Sequence, residues 1–163
     1  MSCLVGKSIL IFFSAKHIPE CETFLPELIQ TYNELMENDD FEVVFVSGDH
    51  DFRSFSEHLD KMPWFALPYN DKRIRFLFRW FNILDLPRLV VIAPSGKTTS
   101  LNGVKLVREF GADGFPFTSE RINFLREERK AAKQNQTLSS IFDSTDYLFS
   151  KDGNQVLTHK LNL

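Results

Sequence analysis

"SILIFFSAKHIPECETFLPELIQTYNEL" (residues 8–35) changes its rhythm at Pro19, and that change decides the fold. Ile9–Phe13 is continuously apolar, with β-branched and aromatic side chains, as a central strand buried on both faces requires. Beyond Pro19, Phe24, Leu25, Leu28, Tyr32, Leu35 and Met36 recur at three- and four-residue spacing, the period of an amphipathic helix, which "ENDD" (37–40) ends. Pro19 suits a first-turn position, where its missing N–H costs nothing. Pro26 falls inside the helix and is expected to kink it. Between strand and helix stand His17, Ile18, Pro19, Glu20 and Cys21.

Working outward, "FEVVFVS" (41–47) reads as a second buried strand, and "GDHDFRSFSEHLD" (48–60) as a loop and helix with an aspartate N-cap. "MPWFALPYN" (62–70) has no regular period. "DKRIRFLFRWFNI" (71–83) is an amphipathic helix with Ile74, Leu77, Phe78 and Phe81 inward. "LPRLVVIAP" (86–94) is a third strand, "SGK" a tight turn and "TTSLN" (98–102) a return strand. "GVKLVREFG" (103–111) and "TSERINFLREERKAAKQN" (118–135) are helical. Strand–helix alternation followed by a hairpin-like pair specifies an α/β fold, a mixed sheet with helices on both faces. From about Gln134 the composition becomes polar, and "IFDSTDYLFSKDGNQVLTHKLNL" (141–163) supplies a strand, a "KDGN" turn and another strand-like piece. Residues 1–135 are therefore expected to form one domain, and 136–163 a linker and the start of a following one.

The chain has 163 residues, 43% of them hydrophobic and 17 of them phenylalanine, a globular composition able to bury about 70% of the unfolded surface. A net charge of −3 implies no long-range pull on nucleic acid or anionic membrane. "LVGKSILIFFSA" (4–15) is interrupted by Lys7, lacks a basic leader and falls short of a membrane span, so it reads as a strand and not as a signal peptide. Two cysteines, Cys3 and Cys21, are too few to staple a fold, which favours reducing conditions and a cytoplasmic or nuclear location.

Several suggestive patterns have simpler readings. "VGKS" (5–8) and "SGKTT" (95–99) end like phosphate-binding loops, but Met1 and Val91 stand where the first glycine is required. His50 lies between Asp49 and Asp51, yet no second histidine sits at ligand spacing, so a capping and turn cluster is expected and no metal. Lys72, Arg73, Arg75 and Arg79 form a basic helix face that could meet an acidic partner, although solvation alone accounts for such charge.

A strand ending in small residues, a cysteine in the first helical turn and a proline five positions later resemble the thioredoxin active-site layout. "DLPRLVVI" (85–92) resembles the segment that carries a cis-proline opposite that site, which would make Pro87 the cis residue. "FFSAKHIPECETFLPELIQTYNEL", "FEVVFVSGDHDFRSF", "MPWFALPYND", "LPRLVVIAPSGK" and "EFGADGFPFTSERINFL" are similar in order to nucleoredoxins, the tryparedoxin-like branch of the thioredoxin superfamily. The resemblance spans about residues 4–135. "LTHKLNL" (157–163) echoes "CLVGK" (3–7), as tandem thioredoxin-like domains of plant-type nucleoredoxins would require.

The family motif is Trp-Cys-x-x-Cys, and His17, Ile18, Pro19, Glu20 and Cys21 match it position by position. Histidine replaces the tryptophan and isoleucine the attacking cysteine. Dithiol exchange starts with a thiolate and finishes with a resolving thiol. Isoleucine supplies no nucleophile, and Cys21 matches only the resolving position. The resemblance also places Phe12 where many thioredoxins carry an assisting acid. The resulting expectation is a non-catalytic or weakly active protein-disulfide-reductase domain that serves as a scaffold or binds clients through a groove of His17, Ile18, Leu86 and Pro87. The partners expected are protein clients or neighbouring thioredoxin-like domains, with no nucleic acid, membrane, cofactor or metal. The alternative is an oxidoreductase or redox sensor acting through Cys21 alone; pairing of Cys21 with Cys3 is a further option.

Overall fold

The apolar run after Lys7 becomes β1 (Ser8–Ser14), the middle strand of a five-stranded sheet. The chain then forms α1 (Pro19–Leu35), β2 (Phe41–Ser47), α2 (Phe52–Leu59), a two-residue β3 (Phe65–Ala66), α3 (Lys72–Trp80), β4 (Arg88–Ile92), β5 (Thr98–Ser100) and α4 (Gly103–Phe110). A short 3-10 turn, Gly111–Gly114, leads to α5 (Ser119–Asp143), and β6 (Tyr147–Phe149) and β7 (Gln155–Leu157) follow. The computed structural model describes residues 4–37, 40–143, 147–149, 151–152 and 155–157. It divides into two units, Met1–Ile122 and Asn123–Leu163.

In the first unit the strand order is β3-β2-β1-β4-β5. β1 runs parallel to β2, with Phe12 beside Phe45, and antiparallel to β4, with Phe12 beside Leu89. Alternation along β1 separates two cores. Ile11 and Phe13 join Val46 and Val90 in a cluster against which Ile74, Leu77, Phe78 and Phe81 pack, so α3 covers that face. Phe12, on the other face, meets Phe24 of α1 at 5.8 Å, Phe45 at 6.1 Å and Trp64 edge-on at 6.1 Å. Phe55 of α2 stacks on Phe45, and α4 lies against Leu89. Helices thus lie on both faces of a mixed sheet.

α1 runs through Pro26, which occupies an exposed position in the middle of the helix. Two local expectations change. Met36, at the C-cap, is exposed, and Leu35 before it is the last buried residue of α1. The aperiodic "MPWFALPYN" contributes β3, which pairs in parallel with β2 through Val44 and Phe65; two residues are too few to show a period. Among the described residues no helix is long and apolar enough to cross a membrane.

The second unit holds most of α5, which runs to Asp143 through residues 136–143 because no glycine or proline stops it. β6 and β7 pair antiparallel, Leu148 opposite Val156, around Lys151 and Asp152. The end of "LTHKLNL" beyond Leu157 lies outside the described residues.

Gly103 opens α4 where that helix touches the sheet, and a Cβ there would stand 2.6 Å from the Leu89 carbonyl oxygen. Backbone cannot yield as a flexible side chain can. Gly103→Ala is therefore expected to destabilise the chain by about 1–3 kcal/mol, lowering the thermal midpoint measured by circular dichroism.

Candidate functional site

The motif lies at the junction of β1 and α1. Ile18 is the N-cap of α1 in an extended conformation (φ −100°, ψ 116°) and makes no side-chain capping bond, while Pro19 sits at the first helical positions. The Ile18 carbonyl accepts from the Cys21 N–H at 3.0 Å. Cys21 then shares the helix phase of Phe24, Leu25 and Leu28, which are also buried. That phase carries the side chain to the sheet, and Cys21 is 0% exposed. Burial pushes the Cys21 thiol above its ordinary value; hydrogen bonds from the Ser14 hydroxyl and the Ala15 backbone offset this only in part, and the charges of Asp49 and Glu20 add to the rise.

Behind the thiol lies a polar chain absent from the sequence reading. Ser14 Oγ is 3.4 Å from Nε2 of His58, a fully buried histidine. His58 Nδ1 is 3.5 Å from Asp49 Oδ2, a charge contact longer than a well-formed hydrogen bond. Asp49, whose side chain is wholly enclosed, accepts from the Lys16 N–H at 2.7 Å and from the Ser47 hydroxyl at 2.8 Å. Burial alone would raise its carboxyl, but His58, Lys16 and Ser47 together hold it below the ordinary 3.8. On the far side, Glu22 Oε1 approaches His58 Nε2 at 4.0 Å, and Glu22 Oε2 accepts from the Lys61 ammonium at 2.6 Å. The His58 signal in the sequence was its three-residue spacing from Phe55, the other buried residue of α2.

Of the suggested capping cluster, Asp51 is the N-cap of α2, accepting from the Ser54 N–H at 2.8 Å, whereas Asp49 belongs to the buried chain. His50 stacks on His17, centroids 5.1 Å apart and planes inclined by 28°. Phe12, beneath the motif, is a fully enclosed ring packed by Phe24, Phe45 and Trp64.

Leu86 and Pro87 precede β4, and the peptide bond between them is cis. Leu86 packs against the Phe13 cluster. A Cβ on Gly48 would stand 2.9 Å from Leu86 Cδ1 and 3.6 Å from Ala15 Cβ, so this loop approaches the end of β1 that leads into the motif. No hydrogen bond among the described residues engages the Leu86 backbone. Cys3 lies outside the described residues, and with it any pairing to Cys21.

The site therefore offers a hydrocarbon at the helix mouth and a protonated sulfur beneath it. In a Cys3→Ser chain, Cys21 is expected to react with a maleimide at neutral pH at least about a hundredfold more slowly in the native state than in denaturant. A folded carboxyl with a lowered pKa stabilises above its unfolded value and loses that contribution as pH falls through the lowered one. Asp49→Asn should thus cost about 1–3 kcal/mol at pH 7, and chemical denaturation should show its stability declining less steeply below about pH 4 than that of the unsubstituted chain.

A family model described as thioredoxin-like matches residues 6–98. The chain is 41% identical over 161 residues to "Probable nucleoredoxin 1" of Arabidopsis thaliana, covering 97% of this chain and 28% of that protein. It is 40% identical over 147 residues to "Probable nucleoredoxin 2" of Oryza sativa subsp. japonica, covering 87% of this chain and 36% of that protein. It thus spans about a third of the length of these relatives. Among solved structures, tryparedoxin II from C. fasciculata superposes with a TM-score of 0.68 at 32% identity, covering 73% of this chain and 84% of that one. Tryparedoxin from Trypanosoma brucei gives 0.68 at 31% identity, covering 72% and 84%.

Proposed function

Since the chain belongs to the thioredoxin-like family, we propose that it is a domain of a nucleoredoxin-type protein-disulfide reductase that binds extended protein segments without exchanging disulfides itself. The observation that carries this reading is the pair formed by Ile18 at the N-cap and Cys21 enclosed beneath it. The N-terminus of α1 could stabilise a thiolate, because its free N–H groups and dipole favour negative charge. Isoleucine leaves that capacity unused. Cys21 cannot substitute, being protonated by its surroundings and shut off from a substrate disulfide.

Binding needs no thiol. The open N–H and carbonyl of Leu86 can pair with an extended segment as a further strand would. In this reading Ile18 and Pro87 supply apolar contact across the groove, and His17 closes one end against His50. Clients, or neighbouring thioredoxin-like domains, are the partners, in the cytoplasm or nucleus, and active neighbours perform the redox step.

The test compares the unsubstituted chain with Ile18→Cys. With dithiothreitol as electron source, the unsubstituted chain should show no insulin-disulfide turnover above background. Ile18→Cys should gain turnover, and on oxidation it should lose about two mass units as two thiols become one disulfide and release two protons and two electrons to the oxidant. Turnover by the unsubstituted chain that Cys21→Ser abolishes overturns the reading in favour of single-thiol chemistry. For the groove, the probe is reduced, alkylated insulin B chain, and Leu86→Asp should weaken its binding at least about fivefold in a titration followed by anisotropy.

A further inference from the structure

α3 has a second face that the groove does not use. Ile74, Leu77, Phe78 and Phe81 point to the sheet. On the outer side Phe76 and Trp80 stack on each other, centroids 5.6 Å apart and planes inclined by 25°, yet remain 59% and 69% exposed. Lys72, Arg75 and Arg79 are exposed on the same helix; the charge of Lys72 acts on Asp71, while no ion pair engages Arg75 or Arg79 among the described residues. Arg73 is held by Asp71 at 2.7 Å. The helix, "KRIRFLFRW", contains no acid, although the chain as a whole carries −3. Leu84, just beyond it, is 85% exposed.

Solvation accounts for the cations but not for two large rings left in water beside them. Aromatic and arginine side chains together make the anchors that dominate protein interfaces, and a guanidinium prefers the two oxygens of a carboxylate. Arg75 and Arg79 lie about 6 Å apart along the helix, one turn. Two carboxylates one helical turn apart, or two residues apart in an extended chain, match that separation. The ring pair beside them offers apolar area for a leucine or phenylalanine. A nucleic acid fits less well, because the rings face each other and leave no slot between them for a base.

We propose that the outer face of α3 docks an acidic protein segment, its carboxylates on Arg75 and Arg79 and an apolar side chain on Phe76 and Trp80. Its residues differ from those of the groove, His17, Ile18, Leu86 and Pro87, although Arg75 also lines a cavity with Asp49 and His50.

The experiment titrates the full chain into a fluorescein-labelled twelve-residue peptide of repeated Asp-Leu-Glu-Phe, followed by anisotropy. Arg75→Glu with Arg79→Glu should weaken binding at least about tenfold, and Trp80→Ala about fivefold. Arg79→Gln, a milder change at an exposed position, should weaken it about threefold. Lys105→Glu, a charge reversal at an exposed position of α4, should change it by less than about twofold. Retained far-ultraviolet circular dichroism establishes that each variant is folded. The proposal is overturned if the acidic peptide does not bind, if the double reversal binds it equally well, or if an oligothymidylate of twelve nucleotides binds more tightly than the peptide.

Discussion

The seating of α1 on β1 governs the rest of the molecule. Phe24, Leu25 and Leu28 must face the sheet for Phe12 to be covered, and Cys21 shares their phase. The packing that stabilises the helix therefore also buries the sulfur. Ile18, three residues earlier, falls outside the helix as its N-cap and stays at the mouth. The same helix start thus gives two neighbouring positions opposite fates, Ile18 at the rim and Cys21 beneath it. Here the rim position holds a side chain with no chemistry of its own.

The buried polar chain follows from the same seating. Ser14, at the end of β1, lies between the thiol and His58, and His58 is held by Asp49. Groups so enclosed cost free energy unless they are partnered, and Asp49 is the best satisfied of them. Its bonds to Lys16 and Ser47 tie the loop after β1 to the end of β2. Polar contacts thus fix the two loops that frame the motif, while aromatic contacts fix the sheet beneath it.

How far the sequence could be read depended on whether a residue's environment was local. Ile9–Phe13 announces a central strand because both of its faces are buried, and α1 announces itself through spacing that packing enforces. The inward residues of α3 were legible for the same reason. β3 was not, because two residues at a sheet edge carry no period. His58 sits in "SEHLD", which looks solvent-facing, and only Phe45, Ser14 and Asp49 arriving from other elements enclose it. The polar "QNQTLSS" resembled a linker, yet nothing in it terminates a helix and α5 passes through. Phe76 and Trp80 escaped notice because no inward pattern claims them; their meaning lies in being left outside.

The enclosure of Cys21 also bears on chemical durability. Peroxide converts a cysteine stepwise to sulfenic, sulfinic and sulfonic acid only where the sulfur is ionised and reachable. A sulfur that meets neither condition stays off that ladder, so an oxidative burst that silences an exposed, ionised thiol leaves this one unchanged.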